Sequence, residues 1–120
     1  MQTELDLKLS GSPRDRRQYP RYRFSVPMTI RPADGAPIRA ISIEISESGI
    51  SAITANSLSL SDTVELDSVA GEKVIARVRR NVGRVYGFEF LNLSADQSRR
   101  IVERCKTLPL YQGKILAGLL

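Results

Sequence analysis

Residues 64–91 read VELDSVAGEKVIARVRRNVGRVYGFEFL. Val64 to Val69 is a short run of strand-forming residues, and Ala70-Gly71-Glu72 is a tight connection. From Lys73 to Arg80 the residues Val74, Ala76 and Val78 fall on alternate positions and are expected to point inward. Asn81-Val82-Gly83 turns the chain again, and Phe88 and Phe90 share one face of a run from Arg84 to Leu91. Apolar residues at a period of two, in short runs separated by Gly-containing turns, mark successive antiparallel strands.

The same pattern extends toward the amino terminus. Phe24, Val26, Met28 and Ile30 share one face of a first strand, and Pro32 with Asp34-Gly35 makes the following turn. A second strand carries Ile41, Ile43 and Ile45 on one side, which the alternation assigns to the core. Ser42, Glu44 and Ser46 then lie together on the outer side. Ser48-Gly49 punctuates it, Ile50 to Thr54 forms a third strand, and residues 55–62 are polar. Six short strands joined mostly by turns predict a mainly β fold, a small antiparallel barrel whose closure removes exposed edges.

Toward the carboxyl terminus the period changes. Ser94-Ala95-Asp96-Gln97 fits a capping box, in which hydroxyl and amide satisfy free backbone donors at a helix start. Ile101, Val102, Cys105 and Leu108 follow at helical spacing, and Pro109 ends the run. Arg99, Arg100 and Arg104 are expected on the solvated side, and Cys105 as a small apolar packing residue. Residues 1–12 read as a polar tail. Residues 109–120 read as an apolar tail that either covers the barrel or mediates self-association.

Composition narrows the function. A chain of 120 residues supports one core and no second domain. It is 42% hydrophobic and 26% charged, the balance of a globular protein rather than a disordered one. No apolar stretch approaches the roughly 20 residues of a membrane span, and the first fifteen residues lack the apolar block of a signal peptide. These features predict a cytoplasmic protein. With no histidine and a single cysteine, Cys105, the chain lacks Ser-His-Asp and Cys-His arrangements, a CxxC metal knuckle and an internal disulfide. An enzyme is disfavoured, no cofactor or metal is expected, and a binding module is the better starting point.

The net charge of +5 is localised. Residues 13–31 hold Arg14, Arg16, Arg17, Arg21, Arg23 and Arg31 against Asp15, six minus one, and the remaining charges cancel. Arginine outnumbers lysine 14 to 4. A guanidinium grips phosphate with two hydrogen bonds and stacks on planar rings, whereas an ammonium does neither. The bias points to a phosphate-bearing or planar anionic partner, with a solvated basic arm as the plain alternative. Pro13 and Pro20 keep this segment extended. Nucleic acid is a weaker candidate, since only Tyr19, Tyr22 and Phe24 accompany the basic cluster as stacking partners and the remainder of the chain is neutral.

Two local motifs sharpen the reading. In Arg17-Gln-Tyr-Pro-Arg21 the two arginines point the same way along an extended chain and can address one anion. In Glu44-Ile-Ser46-Glu-Ser-Gly49 a carboxylate and a hydroxyl offer acceptors suited to a guanine edge, and Gly49 permits a backbone conformation or close approach that a side chain would block. In this order, on this strand pattern, the motifs resemble those of the PilZ family, bacterial receptors for the second messenger cyclic di-GMP. That family is recognised by RxxxR ahead of a six-stranded barrel and by (D/N)xSxxG about two dozen residues later. The segment from Tyr86 to Ser94 is similar to its closing strand and approach to the C-terminal helix. The resemblance covers about residues 14–108. It implies a PilZ-like domain over residues 13–108, with residues 13–23 as an arginine-rich ligand arm. Cyclic di-GMP would be bound by Arg16, Arg17, Arg21, Glu44, Ser46 and Gly49. Arg17 and Arg21 would hold phosphates and stack on guanine; Ser46 and the backbone near Gly49 would line the base. An arginine at position 16 accompanies, in the family, a stacked pair of ligand molecules, so two ligands per domain are expected. The departure is Glu44 in place of Asp or Asn, one methylene longer. The resemblance implies signalling to a downstream protein whose identity the sequence does not name. The alternative is a PilZ-like adaptor that binds no nucleotide and acts through protein contact.

Overall fold

The computed structural model describes residues 19–110. Arg14, Arg16, Arg17 and the tails 1–12 and 111–120 lie outside the described residues. The elements are β1 (Tyr22–Arg23), β2 (Pro27–Pro32), β3 (Ile38–Ile45), β4 (Gly49–Ile53), β5 (Thr63–Val69), β6 (Glu72–Val82), β7 (Val85–Leu91) and α1 (Ala95–Cys105). Strands β2 to β7 form a closed antiparallel barrel in the order β3-β2-β5-β6-β7-β4, with β4 returning to β3. The short β1 is an addition: it pairs with the end of β3, Tyr22 opposite Ile45 and Arg23 opposite Glu44. Its other edge meets the chain after the helix, where the Arg23 amide donates to the Pro109 carbonyl at 2.7 Å and Tyr22 bridges Leu110.

The alternation read from residues 64–91 is the alternation of the fold. Val64 and Leu66 of β5, Val74, Ala76 and Val78 of β6, and Tyr86, Phe88 and Phe90 of β7 are all buried in one core. Two connections are two residues long. Ala70-Gly71 joins β5 to β6 with both residues at positive φ, 52° and 81°, the mirror-image turn whose twist matches that of paired strands. Gly83-Arg84 joins β6 to β7, so β6 runs on through Asn81 and Val82, which the sequence assigned to the turn.

Strand β3 corrects the sequence reading. Its core residues are Ile38, Ala40, Ser42 and Ile45, while Ile41 is 50% exposed and Ile43 half-buried. Ser42, expected on the outer side, is 2% exposed. The inversion has a hydrogen-bonding cause. Between Phe24 and Val26 the chain leaves the ladder, and the Ser42 hydroxyl replaces the lost bonds: it donates to the Phe24 carbonyl and accepts from the Val26 amide at 2.9 Å. Burying a hydroxyl without such partners costs about 1–3 kcal/mol, so the partners decide which face is inside. The register then shifts between Ser42 and Glu44, with Ile43 as the extra residue, and Ile45 returns to the core.

The helix begins as its sequence specifies. The Ser94 hydroxyl accepts from the Gln97 backbone amide at 3.0 Å, and the Gln97 side-chain oxygen Oε1 accepts from the Ser94 backbone amide at 3.1 Å. Ile101 and Cys105 face the core. Burial pushes the Cys105 thiol up to about 11, with the Glu47 charge adding to the effect. The arginines are less idle than the solvated face expected of them. Arg100 pairs with Glu72 at 3.2 Å, tying α1 to β6, and the Arg104 guanidinium sits 5.8 Å from the centre of the Phe24 ring. No helix among the described residues is long and apolar enough to cross a membrane.

Candidate functional site

The site is built on the outer wall where β1, β3, β4, β7 and β6 lie side by side. Register places Arg23 opposite Glu44, Glu44 opposite Ser51, Ser51 opposite Gly87, and Gly87 opposite Arg80. Directly opposed residues of antiparallel strands share a face, so these five positions form one row across five strands. Their neighbours Ile45, Ile50, Ala52, Tyr86 and Phe88 are buried in the core, which fixes the row as outward.

Arg21 precedes Arg23 by two residues and joins the same face. Its guanidinium donates to the Glu44 carboxylate at 2.5 Å, with 24% and 10% of the two side chains exposed. The pairing of β1 with β3 on one edge and with residues 109–110 on the other holds Arg21 over this strand. Glu44 is 8% exposed and Ser51 6% exposed. Among the described residues the second carboxylate oxygen, Oε1 of Glu44, and the Ser51 hydroxyl have no hydrogen-bond partner. Buried polar atoms are almost always satisfied, and of the three orphans among the described residues two, Glu44 Oε1 and Ser51 Oγ, lie on directly paired positions here, while Asp67 Oδ1 lies on β5.

The remaining motif residues form the adjacent turn. β3 ends at Ile45, so Ser46 does not extend the strand beside Glu44 as the alternation suggested. It opens the turn instead: its hydroxyl accepts from the Ser48 amide at 3.2 Å, and its amide donates to the Gly49 carbonyl at 2.8 Å. Gly49 serves close approach rather than a special dihedral. A Cβ there would collide with the Phe88 carbonyl oxygen of β7. The structure thus brings Arg21, Glu44, Ser46 and Gly49 together at the β1–β3–β4 corner. Arg16 and Arg17 lie outside the described residues. Ser51 and Arg80 were missed by sequence reasoning, because membership of the row depends on register across four strands. The one local signal was a bare glycine, Gly87, between the core residues Tyr86 and Phe88.

No curated protein matches the chain in sequence. Among solved structures it is similar to the Bacillus subtilis inhibitor of motility MotI/DgrA, with 25% identity and a TM-score of 0.64 over 77% of this chain and 50% of that one. It therefore spans half the length of that protein. It is also similar to the PilZ domain of YcgR from Escherichia coli, solved with c-di-GMP, at 20% identity and a TM-score of 0.62, covering 78% of this chain and 91% of that one. The PilZ domain of CeSA from a cellulose-synthesizing bacterium shares the fold at 20% identity and a TM-score of 0.57, over 72% of this chain and 95% of that one. The PilZ domain family matches residues 15–106. On that match and this barrel, the chain belongs to the PilZ family.

Proposed function

We propose that this domain is a receptor for cyclic di-GMP, which it binds on the outer wall of β3 and β4 beneath the arginine-bearing segment. The observation that carries the reading is the pair of orphaned, buried polar atoms, Glu44 Oε1 on the carboxylate that Arg21 holds and Ser51 Oγ on the paired strand. A carboxylate accepts hydrogen bonds and donates none. The N1-H and amino edge of guanine supplies the donors it lacks. Arg21 supplies charge for a phosphodiester, and Arg16 and Arg17, sequence neighbours on the same segment, would close over the ligand and accommodate a second stacked molecule. Ser46 and Gly49 shape the corner. Binding would reorganise the Arg21–Glu44 contact and present an altered surface to a downstream protein. The domain is a binding module without catalytic chemistry.

Isothermal titration with cyclic di-GMP at low salt tests this and returns stoichiometry. The expected result is saturable binding that weakens with added salt, because phosphate contacts are charge-assisted. An Arg21→Ala domain that binds as tightly as the parent would refute the assignment.

The nucleotide-free adaptor is the second reading, favoured by one observation: Glu44, longer than the family's Asp or Asn, already occupies Arg21. Glu44→Asp separates the two. Binding by the parent supports the receptor, whereas binding gained only in the variant supports the adaptor.

A further inference from the structure

Two strand irregularities act on charged residues in the same way. Ile38, Ala40 and Ser42 point into the core, so unbroken alternation would send Glu44 inward as well. The extra residue at Ile43 turns it outward. On β6, Val74, Ala76 and Val78 point inward, and unbroken alternation would bury Arg80. The register shift between Val78 and Arg80 turns it outward, opposite Gly87. A bulge re-aims the side chains that follow it and commonly sits beside functional sites. Here two bulges on different strands deliver a carboxylate and a guanidinium to one row, Glu44–Ser51–Gly87–Arg80.

The side chain of Arg80 lies against its partner in that row, Gly87. A Cβ built on Gly87 would lie 3.5 Å from Arg80 Cβ and 3.6 Å from Arg80 Nε, so the arginine stem packs against the bare glycine, whose partner on β4 is Ser51 with its orphaned hydroxyl. The neighbouring Arg79 is held by Glu89 at 3.4 Å. Arg80 makes no ion pair among the described residues. With strands about 4.8 Å apart, three strand spacings place Arg80 about 14 Å of backbone from Glu44. The row is therefore a shelf with a guanidinium at each end, Arg21 over Glu44 and Arg80 over Gly87, and with unsatisfied polar atoms between them.

We propose that Arg80 is a ligand-contacting residue, the second phosphate-binding arginine of the site, reaching across Gly87 to the anion whose other end Arg21 holds. This rests on the cyclic di-GMP reading above. A ligand with two phosphodiester groups matches a shelf with two separated cations, and a forked guanidinium is suited to a bidentate grip.

Titration of cyclic di-GMP into parent, Arg80→Ala, Arg80→Lys and Arg99→Ala proteins tests it. Arg99 lies on α1, paired with Asp96 at 2.9 Å, and its loss removes the same charge away from the shelf. Arg80→Ala is expected to weaken binding at least about tenfold, the scale of one lost charge-assisted hydrogen bond. Arg80→Lys should recover part of that loss, and Arg99→Ala should stay within about twofold of the parent. Equal affinities for Arg80→Ala and Arg99→Ala, with the parent binding, would overturn the role of Arg80 and leave the receptor reading intact. A silent parent would remove the receptor reading and the role of Arg80 with it.

Discussion

The wall formed by β5, β6 and β7 and the wall formed by β3 and β4 enclose the same core by different rules. In the first, hydrophobicity alone sets which side faces inward through Val78. In the second, Ser42 is inside and Ile41 is half exposed. The difference lies in the ladder. Along Val64–Leu66 and Val74–Val78 the ladder is unbroken, the backbone is satisfied and side-chain burial decides the phase. Beside β3 the chain from Phe24 to Val26 leaves the ladder, and a hydroxyl must serve the freed amide and carbonyl. Polar satisfaction then outweighs the burial of one isoleucine side chain, itself about 1.5–3 kcal/mol.

Two glycines on the outer wall give the largest expected contrast. Gly49 of β4 backs onto the Phe88 carbonyl, so Gly49→Ala forces two paired strands apart and should cost about 3 kcal/mol or more. A Cβ on Gly87 of β7 would make ordinary contacts of 3.5 and 3.6 Å with a flexible arginine, so Gly87→Ala should cost less than about 1 kcal/mol. Urea unfolding of the two variants measures both. Equal losses would mean that the walls do not differ in how closely their backbones approach.

Ser42→Ala probes the polar satisfaction that inverts β3. It removes both hydrogen bonds and leaves the Phe24 carbonyl without that partner, at a cost of about 2 kcal/mol. The counterpart on the regular wall is Ala76, small and fully buried, where the side chain has no hydrogen bond to lose. A loss below about 0.5 kcal/mol for Ser42→Ala in urea unfolding would show that the hydroxyl does not set the phase.

These contrasts explain what could be read from residue order. Short apolar alternation with two-residue Gly turns specified β5, β6 and β7, and Ser94 with Gln97 specified the helix start, since each depends on neighbours within a few residues. The position of Glu44 outside the barrel was legible, but for an incomplete reason. The reading extended one phase over the whole strand, whereas the bulge at Ile43 confines that phase to Glu44 and Ile45. That Arg21 and Glu44 meet at one corner was legible through the paired motifs, whereas their ion pair was not. Ser51 and Arg80 were not, because their adjacency depends on pairings 36 and 7 residues apart in the chain, Ser51 with Gly87 and Gly87 with Arg80, and on a bulge that hydrophobicity does not announce.

The helix end that covers the core supplies a smaller, pH-dependent effect. The Cys105 thiol is raised from 9.0 to about 11 in the folded protein, first by burial and then by Glu47. The folded state therefore keeps its proton where the unfolded chain releases it. This contribution is fully present below pH 9 and is lost as pH rises toward 11, about 1.4 kcal/mol by pH 10. Urea unfolding at pH 8 and pH 10 should show a steeper decline for the parent than for Cys105→Ala. Parallel declines would mean that the thiol titrates alike in both states.

The smallest effect tests the regular wall at its tightest point. Ala70 has φ 52°, a left-handed conformation that a Cβ disfavours, in a turn whose second residue is Gly71 at φ 81°. Glycine at position 70 would relieve the strain but would also loosen the unfolded chain, and these effects oppose each other. Asparagine tolerates the left-handed region while keeping a Cβ, and Asn-Gly is the favoured pair for this turn. Ala70→Asn should therefore raise stability by about 0.5–1 kcal/mol, with Ala70→Gly closer to neutral. Val69 and Glu72 pair directly across the turn, so a gain seen in thermal unfolding would be local to a hairpin already satisfied by its own residues. A loss in Ala70→Asn would mean that the Ala70 methyl contributes more by packing against the core, where it is partly buried, than it costs in backbone strain. The hairpin wall would then depend on tertiary packing as much as β3 does.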